Sequence, residues 1–244
     1  KINNSENASL HEKINIVTGL LDDARELGTP QFSRMARLAF IGNQYLRGLV
    51  SQGIISDSER EAFLLNIDTI ASELNNNFDR VILKQLSVVE FNKLYGHLRP
   101  GTYDITKLPY SKDPGYFSID KPGKTHTTNS NGKQKDTLNI EKKITRFFDD
   151  FEISVSAEQL LEFVEETTKF RESFKFEFTK NLSLALELLA DIGEELGFDR
   201  KMLSHISIES IKGLSPSSGI SEIVDLWHSL IEGKKVSDQF YHYI

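Results

Sequence analysis

The sequence predicts an all-α fold: an irregular multi-helix bundle in two helical lobes with a polar, flexible middle segment. Three observations predict it. Apolar residues recur at helical spacing over most of the 244 residues. Serine followed three positions later by glutamate, a helix-start pattern, stands ahead of two such runs, at Ser56–Glu59 and Ser87–Glu90. Nothing reads as a pair of alternating strands joined by a turn, and no segment repeats.

The elements follow in order. Leu10, Ile14, Val17, Leu20, Leu21 and Ala24 place a helix over 8–27, which Gly28 and Pro30 end while starting the next. Residues 31–52 form a second helix, with Met35, Leu38, Ala39, Tyr45, Leu46 and Leu49 on its apolar side and Gly53 closing it. The Ser56 pattern opens a third helix reaching about Leu83, and Ser87 opens a short one. Over 105–138, Pro109, Pro114 and Pro122 break any helix, and the stretch from Lys124 to Lys135 is polar and poor in hydrophobics. From Ile140 the helical pattern returns. Ser156 opens a long helical segment to Leu196, bent near Phe174 and stopped by Gly197. Short helices are expected at 199–203, 207–213, 219–232 and 236–243. The domain expectation is an N-terminal lobe over 1–104, an irregular segment over 105–139 and a C-terminal lobe over 140–244, together one substrate-binding domain.

Composition narrows the function classes. A net charge of −7 argues against a broad nucleic-acid surface, though not against a local basic pocket. With no cysteine, disulfides, thiolate metal sites and cysteine nucleophiles are excluded, which fits a cytoplasmic protein. No apolar run has the length of a membrane span. The chain starts at Lys1 and stops in the aromatic-rich run Phe240-Tyr241-His242-Tyr243-Ile244, and the expectation is a piece of a longer polypeptide.

The most informative stretch is Tyr95-Gly96-His97-Leu98-Arg99-Pro100-Gly101-Thr102-Tyr103-Asp104. Pro100 fixes its own φ and pushes Arg99 into an extended conformation. Gly96 and Gly101 permit angles or close approaches that other residues resist. A loop so built holds His97, Arg99, Tyr103 and Asp104 in set directions, which is how scaffolds present chemistry.

A second constellation lies on the long helix. Leu160, Val164, Phe178, Leu182, Ala185, Leu189, Ile192 and Leu196 fall on one apolar stripe, expected to face the core. Thr167, Arg171 and Lys175 fall in its middle. Two cations on an inward face need a reason, because burying them unpaired is costly. Either carboxylates such as Glu172 meet them, or the stripe opens onto a cavity that binds an anion.

The remaining polar residues read more plainly. Arg34, Arg37 and Arg47 lie on a helix of mixed faces. Asp149 and Asp150 point in different directions and make a poor metal pair. His126 lies in the polar stretch, and Trp227 with His228 reads as a core anchor beside a surface histidine. There is no Walker A lysine loop, H-E-x-x-H, G-x-S-x-G or metal-ligand spacing.

The loop Tyr95–Ile105 resembles a signature of phosphoenolpyruvate-utilising enzymes of the phosphoenolpyruvate synthase and pyruvate phosphate dikinase group. Arg171-Glu172-Ser173-Phe174-Lys175-Phe176, followed by Phe178-Thr179-Lys180-Asn181-Leu182-Ser183, resembles a second block of the same proteins, and Ala36-Arg37-Leu38-Ala39-Phe40 also fits. The resemblance covers roughly 25–215. It implies a parent with an ATP-grasp domain that binds ATP and magnesium and a swivelling domain whose histidine carries a phosphoryl group to an acceptor. Neither of those motifs occurs here, so this chain looks like the helical segment between them, similar to the substrate-binding domain of rifampin phosphotransferase-like enzymes. Their related loop carries a glutamate that Arg99-Pro100-Gly101-Thr102-Tyr103-Asp104 lacks, which implies a different acceptor. Carried onto this chain, the resemblance implies that Arg171 and Lys175 hold the phosphoryl group. It implies that His97 and Arg99 line the acceptor cavity, with His97 as proton acceptor. Tyr103 and Asp104 shape the loop, and Arg37 joins the substrate-binding set. It implies no cofactor or metal in this segment, no turnover by the segment alone, and partner domains on the same polypeptide with a small-molecule acceptor. A helical interaction or regulatory module without catalysis is the alternative.

Overall fold

Local capping decides where these helices start, and the computed structural model shows several of the caps formed. It describes residues 8–113, 115–117, 130–213 and 219–241, with the backbone alone for 130–136 and 234–241. The elements are α1 (Leu10–Asp23), a π-turn (Ala24–Gly28), α2 (Thr29–Ser51), α3 (Asp57–Leu65), α4 (Ile70–Ile82) and α5 (Val88–Tyr95). They continue with α6 (Ser130–Asp150), α7 (Ala157–Leu196), α8 (Arg200–Leu203), α9 (Ile208–Lys212) and α10 (Ile220–Tyr241). The fold is all-α: no strand occurs among the described residues. Nor is any helix among them long and apolar enough to cross a membrane.

At α3, Ser56 Oγ accepts from the Glu59 N–H at 3.1 Å while the Glu59 carboxylate accepts from the Ser56 N–H at 2.8 Å. The same reciprocal pair forms at Ser87 and Glu90, and at Ser156 and Gln159. Each satisfies two backbone donors that a helix start leaves open. Gly197 ends α7 at φ 83°, a left-handed angle that favours glycine.

Four expected boundaries move. The third helix is two helices, because Thr69 caps α4 through Ser72 and Ile67 turns into the core between them. The break at Gly28 is instead a π-turn that leads straight into α2, with Pro30 in the first turn where no donor is lost. The irregular segment ends earlier than expected, since α6 begins at Ser130. At the C-terminus, α10 is one helix where two were expected. Pro114, Pro122 and His126 lie outside the described residues.

The chain divides into two units, each assembled from separate stretches rather than the consecutive lobes expected from the sequence. One comprises Lys1–Glu26, Asn92–Tyr116 and Thr179–Ile244; the other Leu27–Phe91 and Phe117–Phe178. The reason is α7: at 40 residues, about 60 Å long, it contributes to both. In the first unit Ile14, Val17, Ile105, Ile192, Phe198, Leu203 and Trp227 form the core. The Trp227 ring is fully buried and meets Phe198 edge-on at 5.4 Å, with His228 exposed beside it. In the second, Leu46, Phe63, Ile140, Ile144, Leu161 and Val164 do the same, and Phe78, Phe91 and Phe117 form a separate ring cluster.

Candidate functional site

The loop after α5 is closed by its own backbone. Gly96 O accepts from both the N–H and the hydroxyl of Ser111, at 3.1 and 2.9 Å, and Leu98 O accepts from the Tyr110 N–H at 2.7 Å. Gly96 is required here: a Cβ would lie 2.4 Å from Asn92 O and 2.9 Å from the Ser111 side chain. Gly101 is required differently, by a φ of 62° in the turn that closes through the Asp104 N–H to Gly101 O. Asp104 accepts from the N–H and hydroxyl of Thr106. These two bonds hold its carboxyl below the ordinary carboxylate value.

Arg99 is the loop's anchor. It is 6% exposed. Its guanidinium donates to Lys107 O at 3.1 Å, to Ser183 O at 3.2 Å, to Ser183 Oγ at 2.8 Å and to Glu187 Oε1 at 3.2 Å. Glu187 is a hub. Arg200 donates to both its oxygens, at 3.0 and 2.9 Å, and Lys112 Nζ lies 2.8 Å from Oε2. Arg200 also donates to Ile105 O at 3.0 Å, gripping the far end of the loop. Burial pushes the Arg99 guanidinium below its ordinary value, against the pull of Glu187. Burial would raise the Glu187 carboxyl, but the bonds from Arg200 and Lys112 outweigh it and the group is held low.

Arg99 was expected to line a cavity. It faces inward instead, its terminal nitrogens on protein acceptors, so an incoming phosphate would have to displace Glu187. Tyr103 projects outward, 66% exposed. His97 is half-buried. His97, Arg99, Tyr103 and Asp104 belong to the first unit, while Arg37, Arg171 and Lys175 belong to the second.

The cation stripe of α7 also differs from expectation. Leu160 and Val164 are buried before it, and Leu182, Ala185, Leu189 and Ile192 after it. Between them the exposure is mixed. Thr167 is buried and returns its hydroxyl to Phe163 O at 2.6 Å. Arg171 is partly exposed and pairs with its neighbour Glu172, and Lys175 is exposed. A stripe drawn at constant angle predicts burial only where a neighbour packs, and here Thr167 is covered while Arg171 is partly exposed and Lys175 exposed. Arg37 is exposed on α2, as are Arg34 and Arg47.

Sequence reasoning missed Glu187, Arg200 and Lys112. A buried arginine demands a carboxylate, but the pairing spans 88 residues, and no spacing rule picks it from the acids present. Ser183, by contrast, closes the second resemblance block.

No protein-family model matches the chain, and no curated protein and no solved structure matches it significantly.

Proposed function

We propose that the chain is the acceptor-binding helical domain of a phosphoenolpyruvate synthase-like phosphotransferase, receiving a phosphoryl group from a phosphohistidine on a separate swivelling domain. The construction of the Tyr95–Asp104 loop carries this reading. Simple connection does not require a guanidinium buried against Glu187 and Ser183. A loop held that firmly serves to keep other side chains in place. Arg99 therefore supports the loop, while Tyr103, Asp104 and His97 shape what binds beside it.

Arg171 and Lys175 take the phosphoryl group. Both are accessible, and the Arg171–Glu172 pair is a partly exposed one whose exchange for phosphate costs little. The arginine fork grips two oxygens, and the lysine supplies a point charge. In the transfer, the P–N bond of the phosphohistidine breaks as a P–O bond to the acceptor forms. The acceptor's proton passes to the histidine nitrogen that the phosphoryl group leaves, and positioning with charge stabilisation supplies most of the rate. ATP and magnesium belong to the ATP-grasp domain of the parent.

The test uses the full parent protein, radiolabelled ATP and a panel of hydroxyl-bearing small molecules as acceptors. Arg171→Ala should accumulate the phosphohistidine and lose its discharge onto acceptor. Normal discharge by the variant overturns the reading. A non-catalytic interaction module is the second reading, favoured by the exposed Val88 and Val89 on α5; it predicts no labelled phosphoenzyme at all.

A further inference from the structure

We infer that the hollow bounded by α2, the end of α6 and the start of α7 is a binding site for an uncharged, ring-bearing small molecule. The inference is independent of the phosphotransfer reading. The hollow lies wholly within the second unit. Its volume is about 510 Å³, within the range that small-molecule sites occupy. Its walls are Tyr45, Leu49, Phe147, Phe148 and Phe163, with Ile153 and Val155 from the connector between α6 and α7.

Gly48 opens it. Glycine in a helix interior weakens the helix relative to alanine, so a reason is needed for each one in α2. Gly42 has a packing reason, since a Cβ there would lie 3.2 Å from Val164 Cγ2. Gly48 has none: a Cβ would meet nothing within 4 Å, and the residue lines the hollow. At this exposed position the missing side chain leaves the rim of the hollow unobstructed.

The lining defines the ligand. Among the described residues no charged one contributes, so an ion entering would lose water without gaining a partner. Four aromatic rings offer faces and edges for stacking. Gln44, Gln52 and Gln159 supply the polar groups. The Gln159 carbonyl already accepts from the Ser156 N–H at 3.0 Å, which leaves its NH2 to donate to a carbonyl or hydroxyl of the ligand. Tyr45, Ile153 and Val155 stand substantially exposed around the hollow, an apolar wall that a bound ring would take out of water.

The experiment is a fluorescence titration of the chain with neutral N-phenyl-1-naphthylamine and with its sulfonated analogue, 8-anilinonaphthalene-1-sulfonate. Saturable binding of one neutral probe per chain is expected, with the sulfonate weaker by roughly tenfold. Gly48→Leu puts a bulky side chain on the exposed rim of the hollow and should weaken the neutral probe by roughly tenfold or more, while Gly48→Ala retains it. Val155→Trp, placed on an exposed connector position, gives the same loss if Gly48→Leu fails to fold. Helical circular dichroism and the melting temperature establish that each variant is folded. The inference is overturned if folded Gly48→Leu or Val155→Trp binds the probe as the wild type does, or if the sulfonate binds equally well. It is also overturned if sedimentation shows a second copy of the chain seated in the hollow, released by the probe.

Discussion

Arg99 and Glu187 stand 88 residues apart in the chain, and their side chains meet at 3.2 Å with Arg99 almost wholly buried. Through Arg200 and Lys112 the same carboxylate reaches the start of α8 and the return of the loop. One acid thus holds the segment after α5 against α7. Removing it leaves a buried guanidinium with its strongest partner gone. Glu187→Ala should cost about 3–5 kcal/mol of stability, read from urea denaturation. Lys112 is half exposed, so Lys112→Ala should cost less than about 1 kcal/mol. Equal effects from the two would remove Glu187 from the centre of this network.

Acid should loosen the same point. Glu187 is held below its ordinary value of 4.5 in the folded chain. It therefore contributes stability in full above that unfolded value and loses it as pH falls through the lower folded value. Glu187→Gln removes this dependence. The stability gap between wild type and variant should narrow steadily as the pH of the urea titration drops below 4.5. A gap that stays constant down to acid unfolding would contradict the assignment.

The two loop glycines should respond differently. Gly96→Ala drives a Cβ into Asn92 O and Ser111, a backbone clash that costs about 1–3 kcal/mol. Gly101→Ala meets Asp104 at 3.3 Å but sits at φ 62°, for which about 1–2 kcal/mol is expected from the left-handed angle. Thermal melts rank them, and an order with Gly101 far more sensitive would mean that the turn, not the close approach, limits the loop.

Arg171 separates chemistry from architecture. Among the described residues it pairs with the adjacent Glu172, so Arg171→Ala should change stability by less than about 1 kcal/mol while stopping phosphoryl discharge in the parent protein. A large loss of stability would instead make the residue structural.

Gly48→Ala should raise stability by about 0.5–1 kcal/mol, the usual gain on replacing a helix-interior glycine, because its Cβ meets nothing. Gly42→Ala, pressed against Val164, should show no such gain. Differential scanning calorimetry of the pair makes the comparison.

Much of the helix pattern was legible because its signals are local. Ser56 with Glu59 and Ser87 with Glu90 formed the caps their spacing implied, and Gly197 stopped α7 where expected. The α3–α4 break was missed because its cap pairs Thr69 with Ser72, a weaker signature than serine with glutamate. The start of α6 was missed because a helix whose first turns are polar carries no apolar period. At the candidate site, the glycines and proline gave away the loop, and Gly96 and Gly101 are needed for the reasons such residues usually are. The inward turn of Arg99 was not legible, since it depends on which of many acids comes close after folding. The exposure of Arg171 and Lys175 on α7 was not legible either: periodicity tells which residues share a face and not what covers it.

The interleaving of the two units has a consequence for synthesis. Unit two is complete once residue 178 has emerged, whereas unit one needs Thr179–Ile244 to meet Lys1–Glu26. Lys13 pairs with Glu195 across 182 residues and Asp22 with Lys212 across 190. Until those partners leave the ribosome, α1 carries an apolar face, Ile14 and Val17 among it, with Ile105 made but the α7–α10 part of its core still to come. Within this segment α1 is thus made early and fastened late, and the long closure it awaits makes this a slow and aggregation-exposed interval.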